Sequence, residues 1–226
     1  FENDLIRNNK FLNPFKGYSS INCNIESGDK VLLYFCDVDF EDTLLSIPYL
    51  GYNKNYHEKA FLNFDGILNK DFSLDRTNFN FYDKSNLFSG YFNYDSFNNI
   101  YYISFNEFVL DNTDLKLELI YKNNNIDINI FSGSLNLSPF LNFKSNIDES
   151  IIMNIEVSAV LDELIIFDSI ALGKSTLLYI NNNVYKKLSF ESEYYTTQTI
   201  NFNINSTDNK QIFAYNFIAS NAGKLF

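Results

Sequence analysis

The sequence is poor in residues on which several functional classes depend. Its 226 residues include no tryptophan, one histidine, two cysteines, three prolines and eight glycines. With a single histidine (His57) and no Cys-x-x-Cys pair, a zinc site made of His and Cys ligands is nearly excluded. No stretch approaches the run of about 18 apolar residues that a membrane-spanning helix needs. We therefore expect a protein that does not span a membrane.

Positive charge is also scarce. Lys and Arg number 17 against 28 Asp and Glu, which gives a formal net charge of −11. A chain this acidic repels phosphate backbones and anionic headgroups, so neither nucleic acid nor an anionic lipid surface is an expected partner.

The motifs of nucleophilic and phosphate chemistry are missing as well. The sequence has no Gly-x-Ser-x-Gly elbow, and His57 lies in a polar stretch that is typical of a surface loop. The fragment LGKST at 172–176 lacks the upstream glycine of a phosphate-binding loop, so we interpret it as a chance match.

What the sequence does contain is strand-forming residues. Phe (24) and Tyr (16) dominate the large side chains, and Ile and Thr are frequent. Leucines alternate with charged residues over 115–121, and isoleucines alternate with polar residues over 126–131. The intervening KNNN (122–125) suits a tight turn, because Asn tolerates the left-handed conformation. These segments predict a β-hairpin.

The same patterns recur along the chain. A second Asn-rich hairpin is predicted at 179–190, and further strands are predicted at 30–40, 59–68, 79–83, 87–94, 100–110, 197–206 and 211–220. The most helix-like segment is 169–178, which could form a single turn. The sequence predicts one all-β domain spanning 1–226, organised as a two-sheet antiparallel β-sandwich.

The two cysteines allow two interpretations. Cys23 lies in an alternating stretch and Cys36 in an apolar run. A disulfide is geometrically feasible if their strands pair. A small buried thiol is the other ordinary role of a cysteine in a strand.

Acidic residues cluster in VLDELIIFD (160–168), but their spacing does not suit catalysis. Asp162 and Glu163 are adjacent, so their side chains point to opposite faces of a strand, and Asp168 is about 20 Å further along. A calcium site is the alternative, since Ca²⁺ takes carboxylate and carbonyl oxygens from separate loops. Such a site would combine Asp162 with an N-terminal acid such as Glu2.

Tyrosine-rich clusters are the remaining candidate for a binding surface. Residues 90–105 and 192–197 could stack on sugar rings or anchor a protein partner, although many aromatic residues must fill the core of a protein without tryptophan.

Four segments resemble the concanavalin A-like jelly roll, in particular its laminin-G-like branch. Residues 115–135 resemble the hairpin of that family, 160–172 its closing strand, 30–42 its early strand and 60–66 the strand that follows. Asn replaces the usual hairpin Gly. A galactose-binding-like jelly roll is the closest competing resemblance.

The resemblance spans about residues 30–172, so the residues from about 173 to 226 would be a C-terminal β extension. It implies a binding module for glycans or proteins, with a structural Ca²⁺ near Asp162. The catalytic members of the fold carry an ExDxxE strand, which this sequence does not match.

We therefore expect a non-catalytic β-sandwich that recognises a glycan or a protein partner and is exported to the periplasm, cell surface or extracellular space. The alternative is a structural component of a cell-surface, periplasmic or viral-particle assembly. A carbohydrate-active enzyme is the third and least favoured hypothesis.

Overall fold

The computed structural model describes residues 15–29, 31–47, 52–69, 74–95, 98–137, 154–166, 170–182, 186–194, 198–206 and 213–220. These residues form strands and turns, which confirms the all-β prediction. No helix in this part of the chain is long and apolar enough to cross a membrane.

The strands are numbered in chain order. They are β1 (Phe15–Gly17), β2 (Ser20–Ser27), β3 (Val31–Asp39), β4 (Thr43–Ile47), β5 (Tyr52–Lys54), β6 (Ala60–Asn69), β7 (Leu74–Asp83), β8 (Leu87–Asp95), β9 (Ile100–Leu110), β10 (Thr113–Lys122), β11 (Asn125–Asn136), β12 (Asn154–Leu161), β13 (Glu163–Ile166), β14 (Ile170–Leu172), β15 (Ser175–Asn181), β16 (Lys186–Tyr194), β17 (Gln198–Ser206) and β18 (Phe213–Ala219).

Most strands belong to one 15-stranded sheet, whose order runs β18-β17-β16-β15-β12-β11-β10-β9-β8-β7-β6-β3-β2, with β13 and β14 attached beside β11. Neighbours are antiparallel except where β11 pairs with β12 and β13. A second, three-stranded sheet has the order β1-β4-β5. The predicted antiparallel β-sheet structure is confirmed. The strands follow one another in nearly sequential order, which does not confirm the predicted jelly-roll arrangement.

Two inserted hairpins interrupt the sequential order of the large sheet. The β4–β5 hairpin lies between β3 and β6, which pair directly with each other. The β13–β14 hairpin lies in the same way between β12 and β15. Each insertion contributes residues to one of two apolar clusters.

The two clusters form the core. The first joins Leu45 and Tyr52 of the β4–β5 hairpin to Val38, Ala60 and Leu110 of the large sheet. The second joins Leu164 and Leu172 of β13 and β14 to the buried leucines and isoleucines of β10, β11, β12, β15 and β17. Burial of these side chains holds the β4–β5 hairpin against the large sheet, whereas β13 is also hydrogen-bonded to β11 within that sheet.

The large sheet presents one predominantly apolar face because the period-2 alternation stays in phase from strand to strand. One row across that face, read from the strand registers, consists of Cys36, Phe64, Phe79, Gly90, Phe105, Leu117, Ile130, Ala159, Leu177, Phe190 and Phe202.

β-Bulges interrupt the register in the middle of the sheet. Between β8 and β9 the pairing shifts after Ser89, and between β9 and β10 it shifts between Leu115 and Leu117. A further shift separates Lys116 from Leu117 in the β10–β11 ladder. Each bulge moves the residues beyond it by one position relative to the neighbouring strand.

Both predicted Asn-rich hairpins form, whereas the predicted helical turn does not. The hairpin at 115–131 is confirmed: β10 and β11 pair up to Lys122 and Asn125, and Asn123 and Asn124 both have positive φ. The hairpin at 179–190 is confirmed by the β15–β16 pairing. The helical turn expected at 169–178 is wrong, because that segment supplies strands β14 and β15.

Of the two interpretations of the cysteines, the disulfide is confirmed. β2 pairs with β3 so that Cys23 lies directly opposite Cys36, and the two form a disulfide.

Candidate binding site

Three tyrosines from neighbouring strands form a row on the apolar face of the large sheet. Tyr94 of β8 lies opposite Tyr101 of β9, which lies opposite Tyr121 of β10. The ring centroids of Tyr94 and Tyr101 are 4.5 Å apart and the rings are stacked, and those of Tyr101 and Tyr121 are 5.8 Å apart. We call these three residues the tyrosine row.

The tyrosine row lies at the ends of its strands, outside both core clusters as the described residues define them. Tyr101, in the middle, keeps 38% of its surface exposed, and its two neighbours are half-buried. The three rings pack against one another and form an aromatic patch at the sheet surface, in which Tyr101 is the most exposed member.

Asparagines in the adjacent turns contact both ends of the row. The Tyr94 hydroxyl donates to Asn99 Oδ1 at 3.4 Å, and the Tyr121 hydroxyl donates to Asn124 Oδ1 at 3.2 Å. Both asparagines are exposed and have positive φ, which Asn tolerates in tight turns. The row therefore has one neutral amide group at each end, which can donate to hydroxyls as well as accept from them.

The middle phenol of the row, Tyr101, remains uncharged at neutral pH. Partial burial, followed by the proximity of Tyr94 and Tyr121, raises the pKa of Tyr101. The phenol stays protonated and keeps its hydrogen for donation.

The opposite face of the sheet carries a different group of tyrosines. Since Tyr101 and Tyr102 are consecutive in a strand, their side chains point to opposite faces. The ring centroids of Tyr102 and Tyr91 are 5.8 Å apart, and Arg76 Cζ lies 4.0 Å from the centroid of the Tyr91 ring. Burial and a hydrogen bond with Glu118 raise the pKa of Tyr102. These side chains are already engaged with charged partners, which distinguishes them from the tyrosine row.

Asp162, the predicted calcium ligand, has a structural contact. Its Oδ2 accepts the Gly133 N–H at 2.9 Å, and its own N–H donates to Gly133 O at 2.9 Å. Asp162 thus joins β11 to the break between β12 and β13. Glu2 lies outside the described residues. Within the described part of the chain no three His, Cys, Asp or Glu residues are grouped as metal ligands, and the calcium site stays a prediction.

The other acidic and catalytic candidates are dispersed. Asp168 lies outside the described residues, and Glu163 begins β13. His57 is exposed, as predicted for a surface histidine, and its Nδ1 lies 3.2 Å from Asp42 Oδ1. In the LGKST fragment, Ser175 Oγ donates to Gly173 O within the turn between β14 and β15.

The sequence pointed to residues 90–105 but not to the third member of the row. Tyr121 belongs to the predicted 115–131 hairpin, where it was an ordinary strand residue. The turn asparagines Asn99 and Asn124 were also missed. Their signal is position: each lies in the turn that adjoins a tyrosine at a strand end.

No protein-family model matches this chain, and no curated protein or solved structure is significantly similar to it. The fold and the surface chemistry are therefore the only basis for a functional proposal.

Proposed function

We propose that this protein is a non-catalytic binding module that recognises a glycan through the tyrosine row. The observation that carries the proposal is the contact geometry of Tyr94, Tyr101 and Tyr121, with ring centroids 4.5 and 5.8 Å apart and the middle ring exposed.

The chemistry at the two ends of the row supports a sugar over a charged ligand. Pyranose rings have apolar faces that pack on aromatic rings and hydroxyls that exchange hydrogen bonds with amides, and both complements occur together here. Asn99 and Asn124 supply neutral amides at the two ends of the row. Binding sites of this kind combine an apolar surface with a few oriented polar groups.

We also propose the finer architecture and the location. The three-stranded β1-β4-β5 sheet would act as the second layer of a sandwich of the concanavalin A-like, laminin-G-like type. The Cys23–Cys36 disulfide supports an exported protein, because disulfides persist in oxidising compartments.

Glycan-array screening followed by titration calorimetry tests the binding proposal. Tyr101→Ala should weaken binding of the selected glycan by at least about fivefold, since the central ring of a contact surface contributes more than about 1 kcal/mol. Tyr82→Ala is the matched control, because Tyr82 is 39% exposed but lies outside the row. No glycan bound by the wild type, or equal loss in both variants, would contradict the proposal.

The second candidate function, a structural component of a larger assembly, is favoured by a different observation. Among the described residues, strand β2 is the last strand of the large sheet, and it is exposed along its whole length. An open sheet edge is a surface on which chains associate.

A further inference from the structure

Strand β2 carries an unused set of backbone hydrogen-bonding groups. It pairs with β3 on one side, and among the described residues no strand lies on its other side. All eight of its residues are exposed. The edge has no proline, lysine or bulge, which are devices that block pairing with another strand, and its one charged residue, Glu26, lies outside the segment 21–25.

The hairpin geometry identifies the outward-facing groups. The Gly28 N–H donates to Val31 O at the end of the β2–β3 hairpin, and hydrogen-bonded pairs alternate from there along an antiparallel ladder. The pair Cys23–Cys36 is therefore a non-hydrogen-bonded pair, in agreement with its Cα–Cα distance of 4.2 Å. It follows that the N–H and C=O groups of Ile21, Cys23 and Ile25 point away from β3, towards the open edge.

The sequence of this edge is self-complementary. Residues 21–25 read INCNI, the same in both directions. If two copies of β2 pair in antiparallel fashion about a two-fold axis at Cys23, Ile21 lies opposite Ile25 of the second copy. Asn22 lies opposite Asn24 in the same way, on the other face. A two-fold interface requires this kind of self-complementarity.

We propose that β2 is a homodimerisation edge, and that two copies of the chain join their large sheets through antiparallel β2 strands centred on Cys23. The three outward-facing residues then form hydrogen-bonded pairs, each of which exchanges both N–H···O bonds. The partner is a second copy because an edge that reads identically in both directions matches itself.

The apolar side chains at the edge are consistent with this partner. Ile21 and Ile25 are 64% and 66% exposed and lie on the same face as the buried Val38 and Cys36 of β3. Pairing places isoleucine against isoleucine on both sides of the two-fold axis, so that the apolar face of one sheet continues into the next.

Sedimentation velocity on the full chain tests the association. At about 50 μM, well above a micromolar Kd, the wild type should sediment as a dimer. The double variant Ile21→Lys/Ile25→Lys replaces two apolar cross-strand pairs by two pairs of facing lysines and should raise the Kd by at least about tenfold. Because the chain has a net charge of −11, the added lysines reduce the overall repulsion between copies, so a loss of dimer would be a local effect.

The matched control is Val160→Lys/Ile218→Lys. These residues are 60% and 58% exposed and lie on β12 and β18, so the control adds the same charge away from β2. It should leave the dimer intact. A monomeric wild type, a dimer that survives the β2 substitutions, or a dimer lost only in the control would overturn the proposal.

Crosslinking tests the register. In Cys36→Ser the Cys23 thiol is free and would face the same thiol of the second copy, at the roughly 5.5 Å Cα spacing that a disulfide can span. With oxidised glutathione accepting the two electrons, this variant should form a covalent dimer. Cys23→Ser leaves only the buried Cys36 and should stay uncrosslinked. A dimeric Cys36→Ser protein without crosslinking would contradict the register centred on Cys23.

Discussion

Gly133 has a backbone conformation and close contacts that a residue with a Cβ atom cannot adopt without strain. Its φ is +114°, and a Cβ atom built on it would lie 1.9 Å from the Asp114 carbonyl oxygen. The same residue donates its N–H to Asp162. At this position close backbone contact and a positive φ coincide beside a bulge, so glycine is required for both reasons.

Gly133→Ala should therefore destabilise the protein by about 3 kcal/mol or more. The control is Gly173→Ala, where the added Cβ meets its nearest atoms at 3.5 Å, an ordinary contact. This variant should cost less than about 1 kcal/mol. Guanidinium unfolding of both variants measures the difference, and similar stabilities would show that the β10–β11 bulge does not depend on Gly133.

At the scale of elements, Asp83 connects the β7–β8 turn to the β4–β5 hairpin. Its Oδ1 accepts the N–H groups of Ser85 and Asn86, and its Oδ2 accepts the hydroxyl of the buried Tyr52 at 2.8 Å. Burial opposes ionisation of this carboxyl, but the hydrogen bonds from Asn86, Ser85 and Tyr52 outweigh it and lower the pKa of Asp83.

The lowered pKa gives a pH dependence of defined sign. The ionised Asp83 stabilises the fold above the ordinary Asp pKa of about 3.9, and this stabilisation is lost as the pH falls through the folded value. Asp83→Asn should be less stable than wild type at pH 7, and this difference in stability should become smaller below about pH 4. Asp127→Asn, which removes an exposed carboxylate from β11, is the control for thermal unfolding across this range. A difference independent of pH would contradict the role of the ionised carboxylate.

The β9–β10 ladder also illustrates how far the sequence predicts the site. Alternation and turn residues predicted both strands and the 115–131 hairpin, because these depend on local patterns. Counting back from the β9–β10 turn, however, would place Tyr121 opposite Tyr102. The bulge between Leu115 and Leu117 shifts the pairing by one residue, so that Tyr101 is the actual partner. A bulge depends on packing across several strands, which explains why the sequence did not predict the row.

At the scale of the whole molecule, the sequence predicted the all-β class but not the strand order. Whether a segment forms a strand depends on the local pattern of apolar and polar residues. The positions of the two inserted hairpins depend instead on their tertiary contacts with the apolar clusters. The error at 169–178 has the same origin: Leu172 is buried in the second cluster, and that contact favours a strand where the local pattern was ambiguous.

The molecule therefore combines one extended sheet with two separate surfaces for which we propose an interaction. The tyrosine row lies on the apolar face near the β8–β9 and β10–β11 turns, and the β2 edge lies at one end of the strand order. β6 and β7 separate β3 from β8, so the two surfaces belong to different strands and can be tested independently.

The most direct test of glycan recognition is an NMR titration of protein labelled at its tyrosine rings, with the glycan that the array selects. The ring signals of Tyr94, Tyr101 and Tyr121 should shift together and saturate at one Kd. Those of Tyr91 and Tyr102, on the opposite face, should stay unchanged. Shifts confined to Tyr91 and Tyr102, or the absence of any tyrosine shift on binding, would contradict the assignment of the tyrosine row as the binding surface.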